Sequence, residues 1–342
     1  MNKLFTVIAA LALLHACDSG DDLQRDNETD SGPAPEDMQD ASVDATADAL
    51  PDELELDLPP LKPGFERFET ALIEVEPGSS ADWAQWVGGP LDQDYDVIAI
   101  EGKQWAGGHH ALMYATTEKQ EPGFTRLWAD ADQLTTRLMG GVGGEGGANA
   151  TLPEGVVFRV QKGSYLVVQT HYLNTSDETL SARSVLDVKL EPVDRTRLVA
   201  SIMSSTDLAI GLKPGVETTM DVHCEVQSDL QFLQISNHMH EYGISTFTEV
   251  IEASGERREL KNDSAWSYDW ALNPNFDHFP VQAPLFVPAG STLHTQCTWM
   301  NTTPKEITFP TEMCVFFGFV LGDSDITCNA GTWINRGVIA SE

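Results

Sequence analysis

The chain is short of positive charge. It holds 20 Lys+Arg against 53 Asp+Glu, a formal net charge of −33 over 342 residues. The shortage is steepest over residues 1–60, where Lys3 and Arg25 face 15 acidic side chains. A surface of this sign repels phosphate backbones and anionic lipid heads, which excludes nucleic acid and charge-driven membrane binding. Long apolar runs are also missing. After residue 17 no stretch approaches the ~20 apolar residues of a transmembrane helix. Cysteine is scarce: five in all, with no Cys-x-x-Cys pair, which argues against a four-cysteine zinc site. The glycine-rich run Gly140-Gly141-Val142-Gly143-Gly144-Glu145-Gly146-Gly147 has no Lys-Ser/Thr after it. It therefore lacks a phosphate-binding signature and reads as a flexible loop. Helical periodicity and internal repeats are absent as well.

What is present begins with a targeting pattern. Lys3 supplies a positive n-region and Leu4 to Leu14 a short apolar core, ending Leu14-His15-Ala16-Cys17. This ending resembles a bacterial lipobox, so residues 1–17 are expected to be a lipoprotein signal peptide and Cys17 the lipidated residue. The expected location is the bacterial cell envelope, lipid-anchored, in the periplasm or at the cell surface. Residues 18–61 are rich in Asp, Glu, Ala, Ser and Pro and show no apolar period. They cannot bury enough surface to offset ordering entropy, and a disordered acidic linker is expected.

From Lys62 the texture changes to short apolar runs broken by turn residues. Ala71–Val75, Asp96–Ile100, Val156–Val160, Ser164–His171, Val185–Leu190, Leu198–Met203, Thr218–His223, Leu230–Ser236, Ser245–Ile251, Ser291–Thr298 and Val315–Leu321 all read as strands. Val156–Val160 and Ser164–His171 read as a hairpin across Gln161-Lys162-Gly163. Such a pattern predicts an all-β fold of sandwich type. At ~150 residues per domain the length suggests two domains. In an exported chain the four cysteines after Cys17 suggest two disulfides.

Five of the nine histidines lie in tight contexts: His109-His110, Thr170-His171-Tyr172 and His238-Met239-His240. On a strand, residues i and i+2 share a face, so His238 and His240 can serve one site. Neighbours such as His109 and His110 point to opposite faces. Both reach one metal only at a strand end or bulge, which Gly107-Gly108 would permit. Imidazole alone does not choose between zinc, copper, iron and nickel. Taken singly, each histidine, and Met313 among its apolar neighbours, has an ordinary explanation as a packed residue. His223 and His294 read as structural; His278 is placed in a loop that could face a cleft.

In order and spacing, His109-His110, His171-Tyr172, His238-x-His240 and Glu312-Met313-Cys314 resemble the copper type II, ascorbate-dependent monooxygenases. That family includes peptidylglycine alpha-hydroxylating monooxygenase and dopamine beta-monooxygenase. The resemblance extends to Leu152-Pro153-Glu154-Gly155-Val156-Val157-Phe158-Arg159-Val160 and to Gln169-Thr170-His171-Tyr172, and covers roughly residues 65–330.

The resemblance implies two tandem jelly-roll-like β-sandwich domains, 62–195 and 196–342, facing each other across a solvent-filled cleft. It implies two coppers: an electron-transfer copper on His109, His110 and His171, and an oxygen-binding copper on His238, His240 and Met313. It implies the disulfides Cys224–Cys328 and Cys297–Cys314, and a glutamine, here Gln169, beside the first copper. The implied activity is hydroxylation of a substrate C–H bond with O2 and a reductant such as ascorbate. A thioether in place of one imidazole softens the second site toward Cu(I).

Departures from the family narrow the substrate. Peptide-amidating members carry an arginine where this chain has Ser236, and Asn and Tyr where it has Val315 and Phe317. A glycine-extended peptide is therefore not the expected substrate. A small apolar or aromatic molecule is, with Tyr268, Trp270, Phe276 and Phe279 as candidate walls. Two other readings compete. One is a non-catalytic copper-binding lipoprotein for storage, delivery or sensing, which has no need of two unlike sites. The other is a zinc hydrolase, which needs a carboxylate base. Glu241 would point away from the metal on a regular strand.

Overall fold

The computed structural model describes residues 58–129, 132–143, 148–149, 152–174, 176–309 and 311–336. The expected signal peptide, Cys17 and residues 18–57 of the expected linker lie outside these. Among the described residues the fold is nearly all β, and its two helices, Asp132–Thr135 and Asp269–Leu272, are single turns. No described helix is long and apolar enough to cross a membrane.

One large sheet organises the fold. Its strands run Glu66–Glu69, Ser184–Pro192, Tyr95–Gln104, Val156–Val160, Leu198–Thr206, Val315–Leu321, Leu230–His238 and Asp277–His278. The halves of the chain meet where Val156–Val160 pairs in parallel with Leu198–Thr206, so the sheet runs on past residue 195. A six-stranded sheet, built around Ser80–Gly88, Tyr165–Leu173, Gly108–Thr116 and Thr136–Gly143, belongs to the first half. A four-stranded sheet, Glu217–Glu225, Thr292–Met300, Gly243–Ile251 and Arg257–Asp263, belongs to the second.

Strand alternation explains the layering. Along Thr292–Met300 every second residue is buried: Leu293, Thr295, Cys297 and Trp299. Leu293 packs with Phe232, Ile235, Phe316 and Val320 of the large sheet. In the first half Met113 and Val168 pack with Ile100 and Leu186, and this core takes in Leu233 and Phe319 from the second half. The two implied disulfides are both present, Cys224–Cys328 and Cys297–Cys314.

Two expectations are corrected. Val156–Val160 and Tyr165–Leu173 do not form a hairpin. The first pairs with Tyr95–Gln104 and Leu198–Thr206 in the large sheet. The second pairs with Ser80–Gly88 and Gly108–Thr116 in the six-stranded sheet. The turn at 161–163 carries the chain from one layer to the other. The glycine-rich run is likewise not a loop throughout: Gly140 to Gly143 complete the strand Thr136–Gly143, beside Gly108–Thr116. A Cβ on Gly141 would sit 2.5 Å from Leu112 Cδ2 and 2.6 Å from the Ala111 carbonyl oxygen, so close strand approach demands glycine there. Residues 144–147 lie outside the described residues.

Candidate metal centre

The first histidine group forms at a β-bulge. His110 pairs with His171, but the next residue, Tyr172, pairs with Gly108, leaving His109 as the extra residue. Gly107 has φ +80, and a Cβ on Gly108 would meet Gln104 Cβ at 2.4 Å, so the two glycines permit the kink. The bulge lets adjacent histidines turn to one point. Their Nδ1 atoms stand 3.5 Å apart, and one ligand atom from each of His109, His110 and His171 lies within 4.8 Å of the others.

The outward nitrogens are held. His110 Nε2 is 3.1 Å from Gln169 Oε1, and Gln169 Nε2 donates to Asp82 Oδ1 at 2.5 Å. His171 Nε2 is 2.8 Å from Ser80 Oγ, and His109 Nε2 is 3.3 Å from Tyr268 Oη. An N–H fixed by such a partner leaves the other ring nitrogen's lone pair for a metal. Burial, reinforced by neighbouring histidines, pushes His109, His110 and His171 each down to about 3. Burial pushes Asp82 up to about 6, against its hydrogen bond from Gln169. Three neutral imidazoles, oriented by outer partners, fit a copper or zinc ion.

The second group lies where the strand Leu230–His238 ends. His238 is its last residue, and His240 follows in a turn whose middle residue, Met239, is fully buried. Their Nε2 atoms are 3.1 Å apart. Two nitrogens on one tetrahedral ion at ~2.0 Å would be about 3.3 Å apart, so the pair is set for a shared ion. His240 Nδ1 lies 3.0 Å from the Thr311 carbonyl oxygen, which as acceptor leaves Nε2 free as the ligand. Burial, and then His240, holds His238 well below the ordinary imidazole value; burial also lowers His240.

Met313 is tied to this turn through Glu312. The Glu312 carboxylate is fully buried and accepts four N–H groups, from His240, Tyr242, Met313 and the Trp299 indole. Burial pushes it up to about 7 against those four bonds. The disulfide Cys297–Cys314 fixes the next residue to the four-stranded sheet. Two imidazoles with a thioether-bearing segment clamped beside them also fit a copper ion.

The two groups adjoin. The rings of His109 and His240 are 6.1 Å apart, and Tyr268, from the second half, touches His109. The cleft that the family resemblance implies does not separate them here.

The four expected wall residues divide. Tyr268 reaches the first group directly. Phe276 meets Phe317 edge-on at 5.5 Å and stacks on Phe319 at 5.8 Å. Ser236 and His238 share a face of their strand, and Phe317 lies opposite Ser236 on that face. Trp270 sits edge-on to Trp266, whereas Phe279 packs against the second core. His278 is not in a loop: it pairs with Gln234 in the short strand Asp277–His278. His223 and His294 stack at 4.5 Å on the four-stranded sheet, and His294 is held between Asp221 and Glu249. Glu241 is exposed. Sequence reasoning missed Ser80, Asp82 and Trp266 and gave Glu312 no role. Glu312 alone left a signal, as an acid inside an apolar segment next to Met313.

No family model and no curated protein matches the chain. Among solved structures, that of the infectious bursal disease virus Gx strain shares 9% identity over 75% of this chain and 72% of that chain, with a TM-score of 0.20. The Gt strain structure shares 9% over 78% and 74%, with a TM-score of 0.18. Likeness at this level bears on neither fold nor function.

Proposed function

We propose that the chain is a copper-dependent monooxygenase of the ascorbate-dependent type, with a small apolar or aromatic substrate. One observation carries the reading: five histidines, His109 buried and the other four partly buried, gather in two unlike groups, one of three imidazoles and one of two imidazoles whose turn shares the Glu312 carboxylate with the backbone of Met313. Copper, when bound, would supply the one-electron chemistry by which O2 and a reductant such as ascorbate oxidise a C–H bond. The chain's part is to orient the donors. Gln169 and Ser80 hold two imidazoles of the first group, while Thr311 and Glu312 hold the second. Phe276 and Phe317 offer an apolar wall on the face of His238, and Ser236 stands where a carboxylate-gripping arginine would be needed for a peptide. Two disulfides suit an oxidising compartment, and with the N-terminal pattern they support a lipid-anchored protein of the cell envelope.

A second reading, a non-catalytic copper-binding protein, draws on the 6.1 Å approach of His109 and His240, which brings the two groups into a single neighbourhood. Copper per chain in the full-length protein, in His171→Ala and in Met313→Ala, tests both. Two coppers in the parent, about one in each variant, and O2 uptake that requires reductant and an aromatic substrate support the monooxygenase. Two coppers without such uptake support the binder. No copper, or zinc in its place, sinks both.

A further inference from the structure

We infer that Tyr268 is a positioning residue of the three-histidine centre, and that it ties metal binding there to docking of a segment from the second half. The inference rests on the copper reading above.

The outward nitrogens of the first group have unlike partners. His110 and His171 lean on Gln169 and Ser80, which sit on strands of the same six-stranded sheet. His109 has no such partner from that sheet among the described contacts. Its Nε2 meets Tyr268 Oη at 3.3 Å, across 159 residues of sequence. With a metal on Nδ1, the ring proton would sit on Nε2 and be donated to the phenol oxygen, which would hold the ring in the tautomer that leaves Nδ1 free.

Tyr268 is itself placed by the second group. Two residues earlier, the Trp266 indole N–H donates to the His240 carbonyl oxygen at 3.0 Å, and the Trp266 backbone N–H donates to the Ile244 carbonyl oxygen at 2.8 Å. Gly243 makes room: a Cβ there would lie 2.7 Å from Trp266 Cδ1. One short segment thus holds the His240 turn through Trp266 and the outer nitrogen of His109 through Tyr268. The three-histidine centre has its full set of outer partners only while this segment is docked. By linkage, metal on the first centre must favour docking of the segment to the same degree that docking favours the metal.

Tyr268→Phe removes only the phenol oxygen and keeps the ring packed. Cu(I) is titrated into the full-length protein and into this variant against a competing chelator. Cu(II) at each centre is read by electron paramagnetic resonance, and hydrogen exchange over 266–272 is followed with and without copper. The expected result is about 10- to 100-fold weaker copper at one centre only, with an altered Cu(II) spectrum for that centre. Met313→Ala in both backgrounds identifies it as the three-histidine centre. In the parent, copper should slow exchange over 266–272; in Tyr268→Phe it should do so much less. Unchanged affinity and spectrum, or equal weakening of both centres, would overturn the inference while leaving the copper reading in place. A parent that binds no copper overturns both.

Discussion

His240 and Met313 share one acceptor: their backbone N–H groups both point to Oε2 of Glu312, at 2.9 and 3.3 Å. The same carboxylate takes the Tyr242 N–H at 2.6 Å and the Trp299 indole at 3.0 Å. Four donors on one buried carboxylate leave little freedom in how the histidine turn and the methionine segment meet. The geometry of the second centre is therefore set by a residue that need not touch the metal.

Glu312→Gln tests this. The amide keeps the volume but replaces one accepting oxygen with a donor that faces N–H groups. Copper at the second centre should weaken by about 10- to 100-fold. Folding stability should fall by about 1–3 kcal/mol, the cost of buried donors left unsatisfied. Chelator competition and urea unfolding measure the two. Equal loss of both coppers would instead mark Glu312 as a general folding residue.

Gln169 is the counterpart in the first centre, bridging His110 Nε2 and Asp82. Gln169→Leu fits the same buried space and removes both bonds. The copper that survives Met313→Ala should bind about 10- to 100-fold more weakly in this variant. The His238–His240 centre should keep its affinity. Isothermal titration in the two backgrounds reads both values, and no selective loss would show that Gln169 merely fills space.

Much of this was legible from residue order, for physical reasons. Alternation along Thr292–Met300 exposes its inward face directly, and Gly107-Gly108 ahead of two histidines marks a place where a strand can bulge. The partner strands were harder to read. Gln161-Lys162-Gly163 has turn chemistry that suits a hairpin and a crossing between layers equally. The buried run Val156-Val157-Phe158 was the hint of a strand inside a sheet with neighbours on both sides. Gly140 to Gly143 read as a loop because glycine serves both slack and tight packing, and only the contact with Leu112 separates the two. Ser80, Asp82 and Trp266 meet the histidine groups through tertiary folding alone, with no local pattern to announce them.

The two disulfides should differ in effect. Cys224–Cys328 closes a span of 104 residues and Cys297–Cys314 one of 17. Loop-closure entropy assigns them about 4.7 and about 3 kcal/mol. Only the shorter adjoins Met313. The pair of changes Cys297→Ala and Cys314→Ala should cost the smaller stability but lower copper affinity at the second centre. Cys224→Ala with Cys328→Ala should cost more stability and leave the folded protein's copper affinity near that of the parent. Guanidinium unfolding and copper titration of both double variants check the reversal of order.

Acid should destabilise the copper-free protein through the histidines. Folded His109, His110 and His171 are pushed down to about 3, below the ordinary value of 6.5, and His238 and His240 shift the same way. Between those values the unfolded chain binds protons that the folded chain refuses. Stability is then full above about pH 6.5 and is lost as pH falls toward about 3, on the order of 1 kcal/mol per pH unit for each of His109, His110 and His171, and His238 and His240 add to the loss in the same direction. Asp82 and Glu312 act oppositely. Their folded values are raised to about 6 and about 7, so their contribution is present in acid and is lost as pH rises through that range. Five histidines against two acids give a net loss on acidification, and copper should be released over the same interval as its ligands take up protons. Denaturant midpoints of the apoprotein at pH 7.5, 6 and 5 measure the slope. Its histidine share is isolated by His109→Gln with His171→Gln, which should flatten the profile. A parent whose stability holds level down to pH 5 would show that these imidazoles are not buried in the neutral form.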